Sequence, residues 1–441
     1  MKDTKELFYG YVDDLAAMLS GGEVLLANYS GEQSDFVRFN RSVIRQPGSV
    51  TQMEMSLRLI DGQRHISSST TLTGQADVDK TKLSGILDTL RRDLPHLPED
   101  PYLLYATDVC SGEEIHNDTL PETTDAVDAV LATGEGRDLV GIYASGTVEA
   151  GFANSLGQKN WFSRPSFHLD WCFYHQRDKA IKSAYAGFEW DNGQFKRKVA
   201  TARRQLQVLT GEPKTIEPGE YRVFLAPAAM REILGMLCWG GFGLKEHRTK
   251  NTPLLKMIVD GATLAPAVTI RENTAGGLAP RFSSRGYAKS DSVTLIENGQ
   301  YRNCLVSPRS AAEYGETTTG GSEYPESLEL DAGELEEDSA VEALDTGVYV
   351  NTLWYMNYSD RPAGRMTGMT RFATFWVEGG RIVAPLNVMR FDETVYRILG
   401  ENLIDLTDQR QFLPDSDTYF ARSTDSMNLP GALIDNFRFT L

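Results

Sequence analysis

A segment rich in proline and glycine, GEPKTIEPG at residues 211–219, divides the chain into two stretches with different hydrophobic patterns. Such a composition is typical of a connection between domains, because proline and glycine interrupt regular structure. The 441 residues also exceed what one hydrophobic core usually organises. The sequence therefore predicts an N-terminal domain over residues 1–210, a linker, and a C-terminal domain over residues 220–441. It leaves open a further division of the first domain near residues 100–120.

In the first domain, helical and strand periodicities alternate. Apolar residues recur every three or four positions from Asp3 to Leu19 and from Leu83 to Leu94, as in amphipathic helices. Apolar and polar residues alternate from Gln52 to Leu59, and an Asp-Gly turn follows, as in a hairpin of a half-buried sheet. Composition predicts two further strands and a helix over residues 141–154, 160–175 and 195–209. These patterns indicate an α+β fold with layered helices and sheet.

The second domain is predicted to be rich in β-structure. Pro227 precedes AAMREILGMLCW, and proline is favoured in the first turn of a helix, so one helix is expected there. The remainder is rich in turns and holds many short apolar runs, which favours a curled sheet or a barrel. Four of these runs lie at residues 292–296, 346–351, 372–377 and 437–441.

Residues 323–345 carry ten carboxylates and no lysine or arginine. Self-repulsion within such a segment opposes packing, so it should stay exposed or mobile unless a cation or a basic partner covers it. The sequence therefore predicts an acidic surface insertion in the second domain.

The overall charge and composition exclude several classes of protein. A formal net charge of -17 repels nucleic acid and acidic lipid within a Debye length of roughly 8 Å, so neither is expected as a partner. The N-terminal stretch MKDTKELFYGYVDDLAAMLSGG lacks the pattern of a signal peptide, and no uncharged apolar run approaches about 18 residues. The four cysteines are far apart and suit a reducing compartment. We therefore expect a cytoplasmic protein without a membrane span.

Residues that could bind a metal or act as a nucleophile are densest in RPSFHLDWCFYHQRD, which holds His168, Asp170, Cys172 and His175. The composition favours a strand, where His168 and Cys172 would stand about 13 Å apart on one face and His175 would point the other way. This geometry disfavours both a metal site and a Cys-His pair. The helix after Pro227 offers one carboxylate, Glu232, and no histidine. No phosphate-binding loop or nucleophile elbow is present, so no catalytic residue, metal ligand or cofactor is predicted.

Long stretches in both domains resemble the TldD/PmbA family, whose members are metalloproteases and their metal-free partner subunits. In the first domain the resemblance rests on DFVRFNRSVIRQ and GTVEAGFANSLG. In the second it rests on PGEYRVFLAPAAMREIL, LIENGQYRNCLVSPRSAAEYGETTTG and FWVEGGRIVAPLNVMRF. The paired IENG and VEGG turns, with TTTGG between them, are its strongest parts.

Two departures from the active members place this chain on the metal-free PmbA side, which is also called TldE. In the active members the corresponding helix carries HExxxH, and a cysteine shortly before a Leu-Pro turn completes the metal site. Here the helix reads MREILGML, and YFARSTDSMNLPG reaches the turn Leu429-Pro430 without a cysteine. The resemblance thus implies a non-catalytic subunit, without a metal or other cofactor, that dimerises with a metal-bearing TldD-like chain to process small or unfolded peptides.

One segment of the second domain, NTLWYMNYSDRPAGRMTGMTRF, is the best candidate for a peptide-contacting surface. Its aromatic side chains can cover apolar residues of a peptide, and its arginines can meet carboxylates. A structural loop or a dimer seam would have a similar composition. The candidates are Trp354, Tyr355, Tyr358, Arg361, Arg365 and Arg371.

Three functions therefore stand as hypotheses. The favoured one is the metal-free subunit of a TldD/PmbA-type peptidase complex. The second is a stand-alone homodimeric protein that binds peptides or acts as a scaffold. The third is an independent peptidase with a site rebuilt around Cys172, His175 or Glu232. The family is also described as influencing DNA gyrase, and the acidic balance of this chain predicts that such an effect would be indirect.

Overall fold

The computed structural model describes residues 4–176 and 179–441, and it confirms the predicted α+β class. Strands up to Gly187 form a seven-stranded sheet, and strands from Gly219 onward form an eleven-stranded sheet. Within the described residues, no helix has both the length and the apolar character that crossing a membrane requires.

Among the residues that the structure describes, the first part of the chain contains four α-helices and seven strands. They are α1 (Thr4–Ala16), β1 (Val24–Asn40), β2 (Val43–Asp61), β3 (Arg64–Thr71), α2 (Ala76–Asp93), β4 (Gly112–Ile115), α3 (Thr123–Thr133), β5 (Asp138–Asn154), β6 (Lys159–Gln176), β7 (Lys179–Gly187) and α4 (Asn192–Leu209). The helices and strands predicted in this part are confirmed. The first predicted residue, Asp3, lies outside the described residues, and α1 ends earlier than the periodicity suggests.

The strands of the first sheet follow the order β3-β2-β1-β5-β6, and both β4 and β7 pair with β6. Because side chains alternate between the two faces, odd-numbered residues such as Leu25, Tyr143 and Trp161 face a core that the four helices cover. Even-numbered residues such as Phe152 face the second part of the chain, where Phe282 packs against it. The second part of the chain therefore covers one face of the first sheet.

The second part contains five α-helices and eleven strands. They are β8 (Gly219–Leu225), α5 (Pro227–Cys238), α6 (Leu244–Arg248), α7 (Leu255–Asp260), β9 (Ile270–Glu272), β10 (Val293–Glu297), β11 (Gln300–Tyr301), α8 (Pro308–Tyr314), β12 (Ser327–Leu330), α9 (Ala340–Leu344), β13 (Gly347–Asp360), β14 (Arg365–Glu378), β15 (Arg381–Pro385), β16 (Arg390–Thr394), β17 (Leu403–Pro414) and β18 (Ser426–Phe439). The helix predicted at Pro227 is confirmed, and so are the four strands predicted from short apolar runs.

The second sheet curls until its first and last strands meet. Strand β8 pairs with β13 on one side and with β18 on the other, and β14 and β16 complete a ring of five strands. Helix α5 contributes Met230, Ile233 and Leu237 to the core of this sheet, against residues of β13 and β18. The curled, barrel-like sheet predicted from the sequence is therefore present.

The acidic segment 323–345 differs from its prediction as a surface insertion. Its residues Ser327–Leu330 form β12, which is buried between β9 and β18 in the second sheet. The carboxylate of Glu329 pairs with Arg271 at 3.2 Å and with Arg410 at 2.9 Å. Because these arginines lie far away in sequence, the local charge count did not reveal that the repulsion is compensated. The carboxylates from Glu334 onward, including Glu336, are exposed.

The predicted linker lies between α4 and β8. Within it, the Lys214 amide donates to the Pro385 carbonyl at 2.8 Å, and the Lys214 carbonyl accepts from the Asn387 amide at 3.1 Å. These bonds attach the segment to the second sheet. The proposed domain limits, including the division near residues 100–120, remain a prediction.

Candidate functional site

Helix α5 is the element that carries HExxxH in the active members that the sequence resembles. Aligning that motif on Glu232, the one carboxylate of the helix, puts Arg231 and Met236 at the two histidine positions. The Arg231 guanidinium lies 3.5 Å from the carboxylate of Asp415, at the end of β17. Neither arginine nor a buried methionine suits a zinc ion, which prefers thiolate, imidazole and carboxylate ligands. The residues of this helix therefore do not fit the family's metal.

The carboxylate of Glu232 lies in a poorly solvated position. Burial raises the pKa of Glu232, and the positive charges of Arg231 and Lys182 oppose this effect. At the end of the same helix, Cys238 is fully buried, and burial likewise raises the pKa of its thiol. Among residues 4–176 and 179–441, no group of three or more His, Cys, Asp or Glu side chains could hold a metal ion.

Two carboxyl groups, the buried Glu272 and the half-buried Asp425, lie near Cys238 at the end of α5. Glu272, at the end of β9, accepts hydrogen bonds from the backbone amides of Ser327 and Glu326 at 3.0 and 3.2 Å. Burial raises the pKa of Glu272 to about 7, and the Ser327 amide opposes this shift. Burial also raises the pKa of Asp425 to about 6, with help from the charges of Glu326 and Asp415. The carboxylate of Glu326 in turn pairs with Lys289. Burial therefore shifts the pKa values of both carboxyl groups toward neutral pH.

The cluster of His168, Asp170, Cys172 and His175 lies in strand β6, as the composition of this stretch predicts. His168 is buried, its Nε2 has no hydrogen-bond partner, and burial followed by the charge of Arg422 lowers its pKa to about 4. Burial raises the pKa of the Cys172 thiol to about 11. A neutral imidazole and a protonated thiol give neither a base with a partner nor an activated nucleophile. The exposed His175 belongs to the opposite alternation of the strand, and Arg177 and Asp178 lie outside the described residues.

The six candidate residues for peptide contact all lie on one hairpin, formed by β13, a turn and β14. Trp354 and Tyr355 are 46% and 76% exposed. The Arg371 guanidinium lies 5.0 Å from the centre of the Trp354 ring, within the range of a cation–π interaction. Arg365 lies apart from this pair, 3.6 Å from the carboxylate of Asp392.

A second stack joins the hairpin to the end of α5. The Arg361 guanidinium lies 4.8 Å from the ring centre of Trp239 and 5.4 Å from that of Tyr358, and it donates to the Trp239 carbonyl. The Tyr358 hydroxyl donates to the carbonyl of Met236. Sequence reasoning missed Trp239, which is exposed, because no local pattern links it to a hairpin more than a hundred residues away. The hairpin therefore presents its arginines and aromatic rings beside α5.

The backbone of this hairpin is irregular where the aromatic residues project. The register between β13 and β14 shifts at three places, including the stretch between Trp354 and Asn357. Tyr355 and Phe372 both have φ near +60°, a left-handed conformation that is unfavourable for large side chains. Such positions persist only when the surrounding structure enforces them, and they cluster at functional sites.

Comparisons with known proteins agree with the resemblance in the sequence. Residues 218–441 match the family model described as the PmbA/TldA metallopeptidase C-terminal domain. No curated protein matches the chain.

Three solved structures share this fold. TldE from Thermococcus kodakarensis is 14% identical, with a TM-score of 0.79 over 99% of this chain and 100% of that one. A proposed modulator of a DNA gyrase from Thermotoga maritima is 14% identical, with a TM-score of 0.74 over 99% of this chain and 100% of that one. A proposed modulator of DNA gyrase from Bacteroides thetaiotaomicron is 16% identical, with a TM-score of 0.74 over 100% of this chain and 99% of that one.

Proposed function

The chain belongs to the TldD/PmbA family, and from this premise we propose that it is a non-catalytic, metal-free subunit of a cytoplasmic peptidase complex. In this complex a metal-bearing, TldD-like subunit supplies the chemistry. The present chain contributes a surface that holds small or unfolded peptides.

The observation that carries this proposal is the replacement of metal ligands on α5 by an ion pair. An arginine guanidinium stays protonated throughout the physiological pH range, so Arg231 repels a divalent cation. The carboxylate of Asp415 forms an ion pair with this guanidinium, so it already has a cationic partner. The chain therefore holds a fixed positive charge at the helix position where an active relative binds its metal.

The two cation–π stacks support a role in holding peptide. Trp354 with Arg371 and Trp239 with Arg361 present aromatic faces and guanidinium groups on the hairpin and at the end of α5. Tryptophan, tyrosine and arginine dominate the binding energy of many protein interfaces. A strand edge can add main-chain hydrogen bonds, which recognise an extended peptide with little dependence on its sequence.

A stand-alone peptide-binding protein is the second candidate function. It is favoured by the fact that both stacks are complete within one chain. Such a protein would bind peptides without cutting them, and it would need no metal-bearing subunit.

A native pull-down followed by reconstitution tests the proposal. We expect an HExxxH-bearing relative to co-purify in near-equal amounts, and we expect metal-dependent cleavage of unfolded peptides only when both chains are present. Glu232→Gln in the present chain should leave this cleavage unchanged, because the proposal gives Glu232 no role in the chemistry. Metal-dependent cleavage by the pure chain, abolished by Glu232→Gln, would contradict the proposal. Recovery of the chain without such a relative, with peptide binding intact, would favour the second candidate.

A further inference from the structure

A cavity of about 430 Å³ opens to solvent at one end of the first sheet. This volume lies within the range of roughly 300–1,000 Å³ that is typical of pockets for small molecules. The turn between β1 and β2, the start of β5, the end of β6 and the last turn of α4 surround the cavity. None of the residues that line it belongs to α5, β13 or β14, so the proposed function makes no use of it. We call it the sheet-end cavity, and its main lining residues are Arg41, Arg137, Asp138, Tyr174, His175 and Leu206.

The turn that carries Arg41 is held in an unfavourable conformation. Arg41 and Ser42 form the two-residue turn of the β1–β2 hairpin, and their φ angles are 53° and 59°. Asparagine and glycine are preferred in such a turn, because positive φ is unfavourable for longer side chains. The Ser42 hydroxyl accepts from the Leu139 amide at 3.0 Å and donates to the Arg137 carbonyl at 2.6 Å. These bonds fix the turn against the segment that carries Arg137, and such enforced positions cluster at functional sites.

The side chains at the sheet-end cavity carry a net positive charge. Arg41 and Arg137 bring two guanidinium groups, which stay protonated at physiological pH, against the single carboxylate of Asp138. Within the described part of the chain neither guanidinium forms an ion pair, and that of Arg137 donates to the Glu135 carbonyl at 2.7 Å. The chain as a whole has a net charge of -17. The cavity is therefore a place where an anion is attracted to a chain that otherwise repels it.

The last turn of α4 borders the cavity and would weaken the binding of an anion, because the carbonyl groups at the end of a helix carry the negative end of its dipole. Two of these carbonyls already accept hydrogen bonds. The Thr210 hydroxyl donates to the Gln207 carbonyl at 2.7 Å, and the Gly211 amide donates to the Val208 carbonyl at 2.9 Å. The helix end amounts to about half a negative charge, which is less than the excess of two guanidinium groups over one carboxylate.

Tyr174 and Leu206 give the cavity an apolar side. The Tyr174 side chain, at the end of β6, is 37% exposed, and Leu206 of α4 is half-buried. The face of the tyrosine ring is a surface on which a ligand ring can pack. His175 adds an imidazole that can donate a hydrogen bond. The cavity therefore combines cationic donors with an apolar surface, as sites for organic ligands do.

We propose that the sheet-end cavity binds a small organic phosphate, whose phosphate group pairs with Arg41 and Arg137 and whose body lies against Tyr174. A carboxylate has two oxygens, and one guanidinium satisfies both of them in a bidentate pair. A phosphate monoester has three terminal oxygens and a charge of about -1.5 to -2 at pH 7, so it can use two guanidinium groups and an imidazole. Because side chains hold the phosphate, the site requires no glycine-rich phosphate-binding loop.

Isothermal titration calorimetry of the full-length chain tests the proposal with phenyl phosphate, benzoate and benzyl alcohol. These probes share an aromatic ring and differ in the polar group. We expect phenyl phosphate to bind at least about tenfold more tightly than benzoate, and we expect no binding of benzyl alcohol. Arg41→Met and Arg137→Met should each weaken phenyl phosphate by at least about tenfold. The matched control is Arg197→Met, at an exposed arginine near the start of α4, and it should leave the affinity unchanged.

Tyr174→Ala tests the apolar side of the cavity separately. This variant should weaken phenyl phosphate and leave the affinity for inorganic phosphate unchanged, because inorganic phosphate has no ring to lie against Tyr174. The absence of phenyl phosphate binding, or equal affinities for phenyl phosphate and benzoate, would overturn the proposal. Equal losses in Arg41→Met and Arg197→Met would also overturn it, because they would show non-specific attraction to positive charge. Each of these results would leave the proposed function standing, since the peptidase complex does not depend on this cavity.

Discussion

Replacing Glu272 by glutamine should change how the stability of the protein depends on pH. The pKa of Glu272 is raised from 4.5 to about 7 by burial, so the folded chain holds this proton after the unfolded chain has released it. Well below pH 4.5 the carboxyl group of Glu272 is protonated in both the folded and the unfolded chain, so its ionisation does not lower the free energy of unfolding. As the pH rises from 4.5 toward 7, the group ionises only in the unfolded chain, and the free energy of unfolding falls.

The size of this effect follows from the difference between the two pKa values. Each step of one pH unit between them costs about 1.4 kcal/mol, so the free energy of unfolding should fall by about 3 kcal/mol between pH 5 and pH 8 because of Glu272 alone. Glutamine cannot ionise, and its carbonyl can still accept from the Ser327 amide, which Glu272 binds at 3.0 Å. Relative to the wild type, Glu272→Gln should therefore gain about 3 kcal/mol of stability over this range.

The assay is denaturant unfolding of the wild type and the variant at several pH values. Asp425 also titrates in this range, but it is present in both chains and its contribution cancels in the comparison. The matched control is Glu334→Gln, because Glu334 is an exposed carboxylate in the acidic segment 323–345 and its replacement should leave the pH dependence unaltered. If the wild type and Glu272→Gln differ by the same amount at pH 5 and pH 8, the assignment of a raised pKa to Glu272 is wrong.

Two further substitutions test other parts of the molecule. Trp354→Ala removes the ring beneath Arg371 and should weaken the binding of a labelled unfolded peptide roughly tenfold in fluorescence anisotropy, and equal affinity would refute a role of this stack in binding. Arg422→Met should lower the free energy of unfolding by about 3 kcal/mol or more, because buried acceptors such as the Ser166 carbonyl lose their donor. Arg41→Met, at an exposed arginine, should change the free energy of unfolding by less than about 0.5 kcal/mol. Equal losses in the two variants would contradict the role of Arg422 in joining the loop between β17 and β18 to the first sheet.

Elements defined by local periodicity could be predicted from the sequence. The leucines of α2 recur at helical spacing, and the alternation in β2 marks the half-buried part of a strand. Both patterns arise because one face of the element is buried. The acidic strand β12 was missed for the opposite reason. Its burial depends on Arg271 and Arg410, which approach Glu329 only in the folded chain.

The candidate site could be predicted in composition but not in arrangement. The absence of histidine from α5 was visible in the sequence, whereas the pairing of Arg231 with Asp415 joins residues that are far apart along the chain. Similarly, the aromatic residues of the hairpin could be named in advance, but the ring of Trp239 that stacks with Arg361 could not. Contacts between distant segments leave no periodic pattern, so they appear only when the fold brings the segments together.

The closed ring of the second sheet has a consequence for synthesis of the protein. Its first strand, β8, cannot gain one of its two neighbours until β18, near the end of the chain, has left the ribosome, because Gly219 pairs with Phe439. Loop closure over such a distance is entropically costly and makes folding slow. The first sheet, in contrast, is complete in sequence once Gly187 has been made. The nascent chain therefore carries an unfinished sheet edge through the whole translation of its second half, which is the interval in which a chaperone would be most useful.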